Sequence, residues 1–235
     1  MKPLNSSFRD PSGYIFNNND KFYRVVNNSY KENLDHLEDS GLYDKLLESK
    51  KVIPYEQVLN TSLDSDKDVY KVIIPEQLGF VSYPYEWCFS QLKDAALLTL
   101  DIQRESLKYD MSLKDASAYN VQFHRGLPVM IDTLSFEKYS EGDPWVAYKQ
   151  FCQHFLAPLA LASYVDIKSI KLLQLYIDGI PLDYAIKQLP VRFIAKFSIF
   201  IHLYLHAKAQ NSNANNFKIR KNNASKVAML GLISS

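Results

Sequence analysis

The chain has 235 residues, 47% of them hydrophobic, enough to bury a substantial core in one large domain or two small lobes. Charged residues make up 23% and the formal net charge is only +1, so no global field points to nucleic acid or to an anionic membrane. The 16 Tyr and 13 Phe suit an aromatic core or a tyrosine-lined groove.

The opening stretch, MKPLNSSFRDPSG, lacks the apolar run of a signal peptide. Ser12 to Val26 holds two β-prone runs around Asn-Asn-Asn-Asp, a hairpin signal because Asn and Asp tolerate turn conformations. In Tyr30 to Lys51 the leucines 34, 37, 42, 46 and 47 follow a helical period, broken at Ser40-Gly41. Lys51 to Val58 and Val69 to Ile74 read as further strands, separated by the polar loop Asn60 to Lys67. The apolar run Leu78 to Tyr83 ends at Pro84. From Glu86 to Met111 an amphipathic helix is predicted, burying Leu92, Ala95, Ala96, Leu100, Ile102 and Leu107.

After it comes the polar loop Ser112 to Asn120, then two short strands flanking Arg125-Gly126. Beyond Pro144 four helices are expected: Trp145 to Ala162, Asp166 to Ile177, Leu182 to Leu189 and Ile194 to Ala209. The longest apolar stretch, Phe193 to Leu205, is interrupted by Lys196 and His202 and is too short to span a bilayer. Gln210 to Lys226 is rich in Asn, Lys and Ser and reads as a flexible linker, followed by an apolar run that stops mid-pattern, as in a fragment of a longer protein. Strands first, a loop and hairpin next and helices last predict an α+β fold with a strand-rich lobe over 1–82, a mostly helical lobe over 83–209 and a linker over 210–235.

The chemistry concentrates in Lys114 to Glu137. Asp115 and Asn120 lie five apart on one loop, and Asp132 follows on the adjoining strand twelve residues later. Phosphoryl transfer needs a carboxylate beside the acceptor hydroxyl and oxygen ligands for the metals that bridge the phosphates, and magnesium favours such oxygens. The same residue types also serve turns, and Asp132 suits a cap. Leu113-Lys114 replaces the His-Arg that precedes the catalytic Asp of protein kinases, Thr133-Leu134 replaces Phe-Gly, and no glycine-rich phosphate loop is present. Lys71 and Arg24, on predicted strands, are the candidates for contacting a nucleotide; either also suits a solvated strand.

Cys88 and Cys152 both sit among apolar and aromatic residues and are expected as buried free thiols. His202 and His206 have metal-compatible i, i+4 spacing but no acidic partner, which favours packed or capping histidines, and His154 reads as structural. The cluster Tyr83 to Phe89 suits either stacking on a planar ligand or core packing.

The runs SYPYEWCFSQLKDAALLTLDIQ, LKDASAYNVQF, IDTLSFE, PWVAYKQFCQHFLAPLAL and DGIPLDYA resemble the N-terminal half of a bacterial family known as SAM-dependent methyltransferases or as nodulation-protein-like. The resemblance covers nearly the whole chain. It implies a SAM-binding methyltransferase domain lying C-terminal to this region as its partner, and a small-molecule or glycan-intermediate substrate. A looser resemblance, carried by Asp115, Asn120, Asp132 and the lobe order, is to kinase-like small-molecule phosphotransferases. It implies Asp115 as the catalytic base, Asn120 and Asp132 as magnesium ligands, and ATP as cofactor. The whole implies a cytoplasmic protein without nucleic-acid partner or membrane span.

Overall fold

Asn19 and Asp20 adopt φ of 51° and 59°, the left-handed pair of a type I′ turn, and join β1 (Gly13–Asn18) to β2 (Lys21–Asn27). The computed structural model describes residues 11–59, 67–194, 196, 199–205, 208, 226 and 229–231. The leucine-periodic segment forms α1 (Lys31–Asp39) and α2 (Leu42–Glu48), and Gly41 takes φ +82° between them, where a side chain would be strained. Leu34, Leu37, Leu42 and Leu46 are fully buried. β3 (Tyr55–Val58) and β4 (Val69–Pro75) complete an antiparallel sheet of order β1-β2-β4-β3. The strand expected from Lys51 starts only at Tyr55, because Pro54 has no N–H for a ladder; Val52 instead makes one parallel bridge to Met130. Residues 60–66 lie outside the described ones.

The long helix is α3 (Phe89–Lys108), which begins three residues later than predicted. Pro84–Glu86 make a separate 3-10 turn, and Cys88, in extended conformation, is the N-cap of α3. Besides the apolar stripe, α3 buries Thr99, Gln103 and Ser106. Thr99 and Ser106 return their hydroxyls to the carbonyls one turn back. Gln103 donates to Ser112 Oγ at 3.0 Å and accepts the Leu113 N–H at 2.7 Å. That pins β5 (Met111–Leu113) to α3, and β5 pairs with β8 (Phe136–Lys138). This strand pair falls where the sequence suggests loop, since three residues buried on both faces carry no alternation.

β6 (Val121–His124) and β7 (Leu127–Met130) form the expected hairpin, with Arg125 and Gly126 at φ 52° and 82° in a second type I′ turn. The remainder is helical: α4 (Tyr148–Phe151), a π-helical turn (Cys152–Leu156) and α5 (Ala157–Tyr164) run on continuously, and α6 (Leu172–Leu175), α7 (Leu182–Gln188) and α8 (Val191–Ile194) follow. Gly179, at φ +89°, lies against that π-turn so closely that a Cβ would stand 2.6 Å from Gln153 Cβ. Phe200–Leu205 is a second π-helical segment, where His202 is buried and hydrogen-bonded to the Tyr148 hydroxyl; His206 lies outside the described residues.

One large core joins β2, β4, all of α1–α3, the hairpin and the helices up to α7, and includes Met229. Of the segment 210–235 only 226 and 229–231 are described: Met229 packs by Gln103 and Lys226 pairs with Asp110 at 3.1 Å. The fold is α+β, as expected. Among the described residues no helix is long and apolar enough to cross a membrane. Both cysteines are free, but Cys88 is exposed at its cap position, a departure from the expected burial, whereas Cys152 is buried.

Candidate functional site

The loop between β5 and β6 is organised by its own short polar side chains. Asp115 accepts the Ser117 N–H at 2.9 Å, Ser117 Oγ accepts the Tyr119 N–H at 3.2 Å, and Ala118–Asn120 close a 3-10 turn into β6. Gln150 on α4 accepts the Ala116 N–H at 2.7 Å. The side chains of Gln150 and Asn120 lie near the Asp115 carboxylate and favour its ionised form. Burial nevertheless holds that carboxyl above the usual carboxylate range; the Ser117 N–H opposes the shift and nearby Asp132 adds to it.

Asn120 Nδ2 donates to Ser135 Oγ at 3.1 Å, and the Ser135 hydroxyl donates to Asp132 Oδ2 at 2.6 Å. Asp132 Oδ1 accepts the Leu134 N–H at 3.1 Å, capping the turn Thr133–Ser135. Asn120, Ser135 and Asp132 therefore form one hydrogen-bonded chain, with Asp115 close enough to feel both Asn120 and Asp132, although seventeen residues and a hairpin separate Asp115 from Asp132. Ser135, which links Asn120 to Asp132, was not among the sequence candidates; its place three residues beyond Asp132 is the cap spacing that signals it.

Across from the cluster, Arg24 on β2 pairs its guanidinium with Asp132 Oδ1, both side chains being largely buried. Arg24 Nε is buried without a hydrogen-bond partner. Lys71 behaves differently. Its ammonium is held by both oxygens of Glu38 on α1, at 2.8 and 3.0 Å, and Tyr55 donates to the same carboxylate at 2.6 Å. Of the two cations suggested by the sequence, Arg24 pairs with Asp132, whereas Lys71 is held by Glu38.

Arg24 also lines a cleft of about 220 Å³. Its walls are mainly apolar: Ile15, Tyr23 and Ile73 from the sheet, Ile131 from the strand leading into Asp132, and the segment Pro75–Leu78 along one edge. Gln77 clasps that edge, accepting the Phe22 N–H at 2.8 Å and donating to Phe22 O at 3.1 Å. A larger cavity of about 450 Å³ lies behind Glu76 and Leu78, between α2 and the β6–β7 hairpin, and holds none of the candidate residues. Among the described residues no group of three or more His, Cys, Asp or Glu could hold a metal; any oxygen set here depends on the Asn120 amide.

The Tyr83–Phe89 cluster divides. Trp87 is core, edge-on to Phe123 and donating to Ser82 Oγ at 2.8 Å. Tyr83 and Tyr85 instead stack on each other at its edge, with centroids 5.4 Å apart, and Tyr119 from the Asp115 loop tilts against Tyr83 at 6.4 Å. Tyr119 meets the buried His154 edge-on at 6.1 Å. Burial drives the His154 imidazole down to a pKa of about 4, against a weaker opposing pull from Asp178.

The sequence is 33% identical over 215 residues to nodulation protein NoeA of Rhizobium meliloti (strain 1021). This chain is similar to a nodulation protein. The match takes in 91% of the chain but 44% of NoeA, so the chain spans less than half the length of the curated relative it matches. No protein-family model matches.

Proposed function

We propose that the chain is a kinase-like, nucleotide-binding module of a longer, NoeA-like protein, its sheet forming one lobe and its helices the other, with a small-molecule or glycan-type acceptor. The observation that carries this reading is the Asn120–Ser135–Asp132 chain beside Asp115, with Asp132 paired to Arg24, which together with Ile131 and Thr133 lines an apolar cleft. The cleft suits the flat, apolar face of a nucleobase, and the guanidinium, with one buried N–H unpartnered, supplies positive charge where phosphates would lie. Asp115 is the base: its raised proton affinity suits accepting the acceptor's hydroxyl proton as that oxygen bonds to the γ-phosphorus and the bond to the departing ADP breaks. Magnesium, held by Asn120 and Asp132, would neutralise phosphate oxygens. SAM chemistry belongs to the C-terminal methyltransferase domain that the family resemblance implies.

Thermal unfolding with and without ATP and magnesium tests the reading. Ligand at about 100 times its Kd stabilises by roughly 2.7 kcal/mol. The shift is expected in the wild type and in Lys71→Ala, and is expected to vanish in Arg24→Ala and Asp132→Ala, each compared with its own ligand-free baseline. No shift in the wild type at millimolar ATP refutes the proposal. One observation favours a second reading, a recognition module without turnover: Asp132 already accepts from Arg24, Leu134 and Ser135, which competes with a metal. On that reading ATP has no effect, while changing Asp115 or Asn120 lowers methylation by the longer parent protein.

A further inference from the structure

We infer that Tyr83, Tyr85 and Tyr119 form a binding platform for a neutral saccharide ring, placing the acceptor beside the Asp115 loop. The inference rests on the reading of that loop as the phosphotransfer loop. Three observations carry it. First, these tyrosines sit at the edge of the core: Tyr83 is 46% exposed, Tyr85 packs on the core but is partly exposed, as is Tyr119, although Trp87 two residues on is buried. Ordering aromatic rings in water is worthwhile when their faces later meet a ligand, and tyrosine does so with little loss of side-chain freedom.

Second, the arrangement selects the ligand's shape. Tyr83 and Tyr85 are stacked within 7° of parallel, whereas Tyr119 meets Tyr83 at 57°, so the rings make an angled floor. A corner of this kind fits a puckered ring presenting C–H groups on two faces, and offers no parallel slot for a planar base. The phenols lie close enough to act on one another's ionisation: burial raises Tyr119 first, and Tyr85 and Tyr83 add to it. The Tyr119 hydroxyl is committed to Leu173 O at 3.3 Å, which fixes that ring, so the platform offers its faces, as the C–H groups of a saccharide ring require.

Third, no lysine or arginine among the described residues stacks on these rings, and the nearby Glu86 carboxylate is engaged by the Tyr83 N–H at 2.7 Å, so the platform is uncharged in character. Its position is set by the chain itself. Tyr119 immediately precedes Asn120, and Tyr83 follows Ser82, whose backbone is clasped from both sides by Gln122 of β6 at 2.9 Å.

Saturation-transfer NMR on the full chain, with cellobiose, maltose and adenosine as separate probes, tests the inference. Transfer to ring protons of at least one disaccharide is expected in the wild type, with a tenfold or greater loss of affinity in Tyr83→Ala/Tyr85→Ala and a several-fold loss in Tyr119→Leu, which removes that ring face. The ATP thermal shift is expected to persist in all three proteins. Disaccharide signals that are absent, or undiminished in both variants, overturn the platform; so does a loss confined to adenosine, which would make the rings part of the nucleotide cleft. Disaccharide transfer that depends on the tyrosines without any ATP shift sustains the platform and overturns the kinase-like reading instead.

Discussion

Arg24 and Asp132 are far apart in sequence, yet their pairing ties the N-terminal sheet to the hairpin that carries the candidate site. Replacing Arg24 by Ala leaves Asp132 largely buried, its side chain only 15% exposed in the intact protein. Breaking a buried pair outright costs about 3–5 kcal/mol. Here the carboxylate keeps two donors, the Leu134 N–H at 3.1 Å and the Ser135 hydroxyl at 2.6 Å, so the loss reduces to one charge-assisted hydrogen bond plus the packing of the arginine stem. That gives ~2–3 kcal/mol for Arg24→Ala. Asp132→Ala strands a guanidinium, a backbone N–H and a hydroxyl together, and should cost somewhat more, ~3–4 kcal/mol. In a double-mutant cycle followed by urea unfolding, the coupling is expected near 2 kcal/mol, with unchanged m-values. It should hold in high salt, because a pair shielded from solvent is little screened. A coupling below about 0.5 kcal/mol would show that the two side chains do not depend on each other, and the argument for a closed sheet–hairpin contact would fall.

The raised Asp115 carboxyl contributes stability that is fully present below its unfolded pKa and is lost as pH rises through the folded value. Urea midpoints of wild type and Asp115→Asn should therefore favour the wild type most at low pH and shift towards the variant as pH rises above the ordinary aspartate range; parallel profiles contradict the shift. His154 has the opposite sign. With its pKa depressed to about 4 by burial, it contributes stability present above about pH 6.5 and lost on acidification, roughly 2 kcal/mol by pH 5, and His154→Gln should flatten that acid limb. Gly179→Ala should destabilise by about 3 kcal/mol, since the new Cβ meets the π-turn backbone at 2.9 Å and φ is +89°; a cost under about 1 kcal/mol would mean that the turn yields easily.

Much of the fold was legible because its signals are local. The pairs Asn19-Asp20 and Arg125-Gly126 announce their turns by residue type, and the leucines from 34 to 46 announce two helices by period. Boundaries slipped where a backbone group, rather than a side-chain pattern, decides them: Pro54 delays β3, and Cys88 in extended conformation delays α3. The β5–β8 pair was invisible because it depends on Gln103, a polar residue on the buried face of α3 that periodicity reads as noise. For the candidate site, spacing proposes Asp115, Asn120 and Asp132, but it does not show the hydrogen bonds that join Asn120 to Asp132 through Ser135. Nor could spacing rank Arg24 against Lys71: the choice turns on Glu38, which claims the lysine from a helix 33 residues away in sequence.

Cys88 gives the molecule a built-in handle. It is exposed at the head of α3 and three residues from Tyr85, whereas the Cys152 thiol is buried and pushed up to about 12, too rarely ionised to react. A thiol-directed fluorophore should therefore attach at one place without any mutation, next to the stacked tyrosines. The unmodified sequence can thus report, by a change in emission, whether anything settles on those rings.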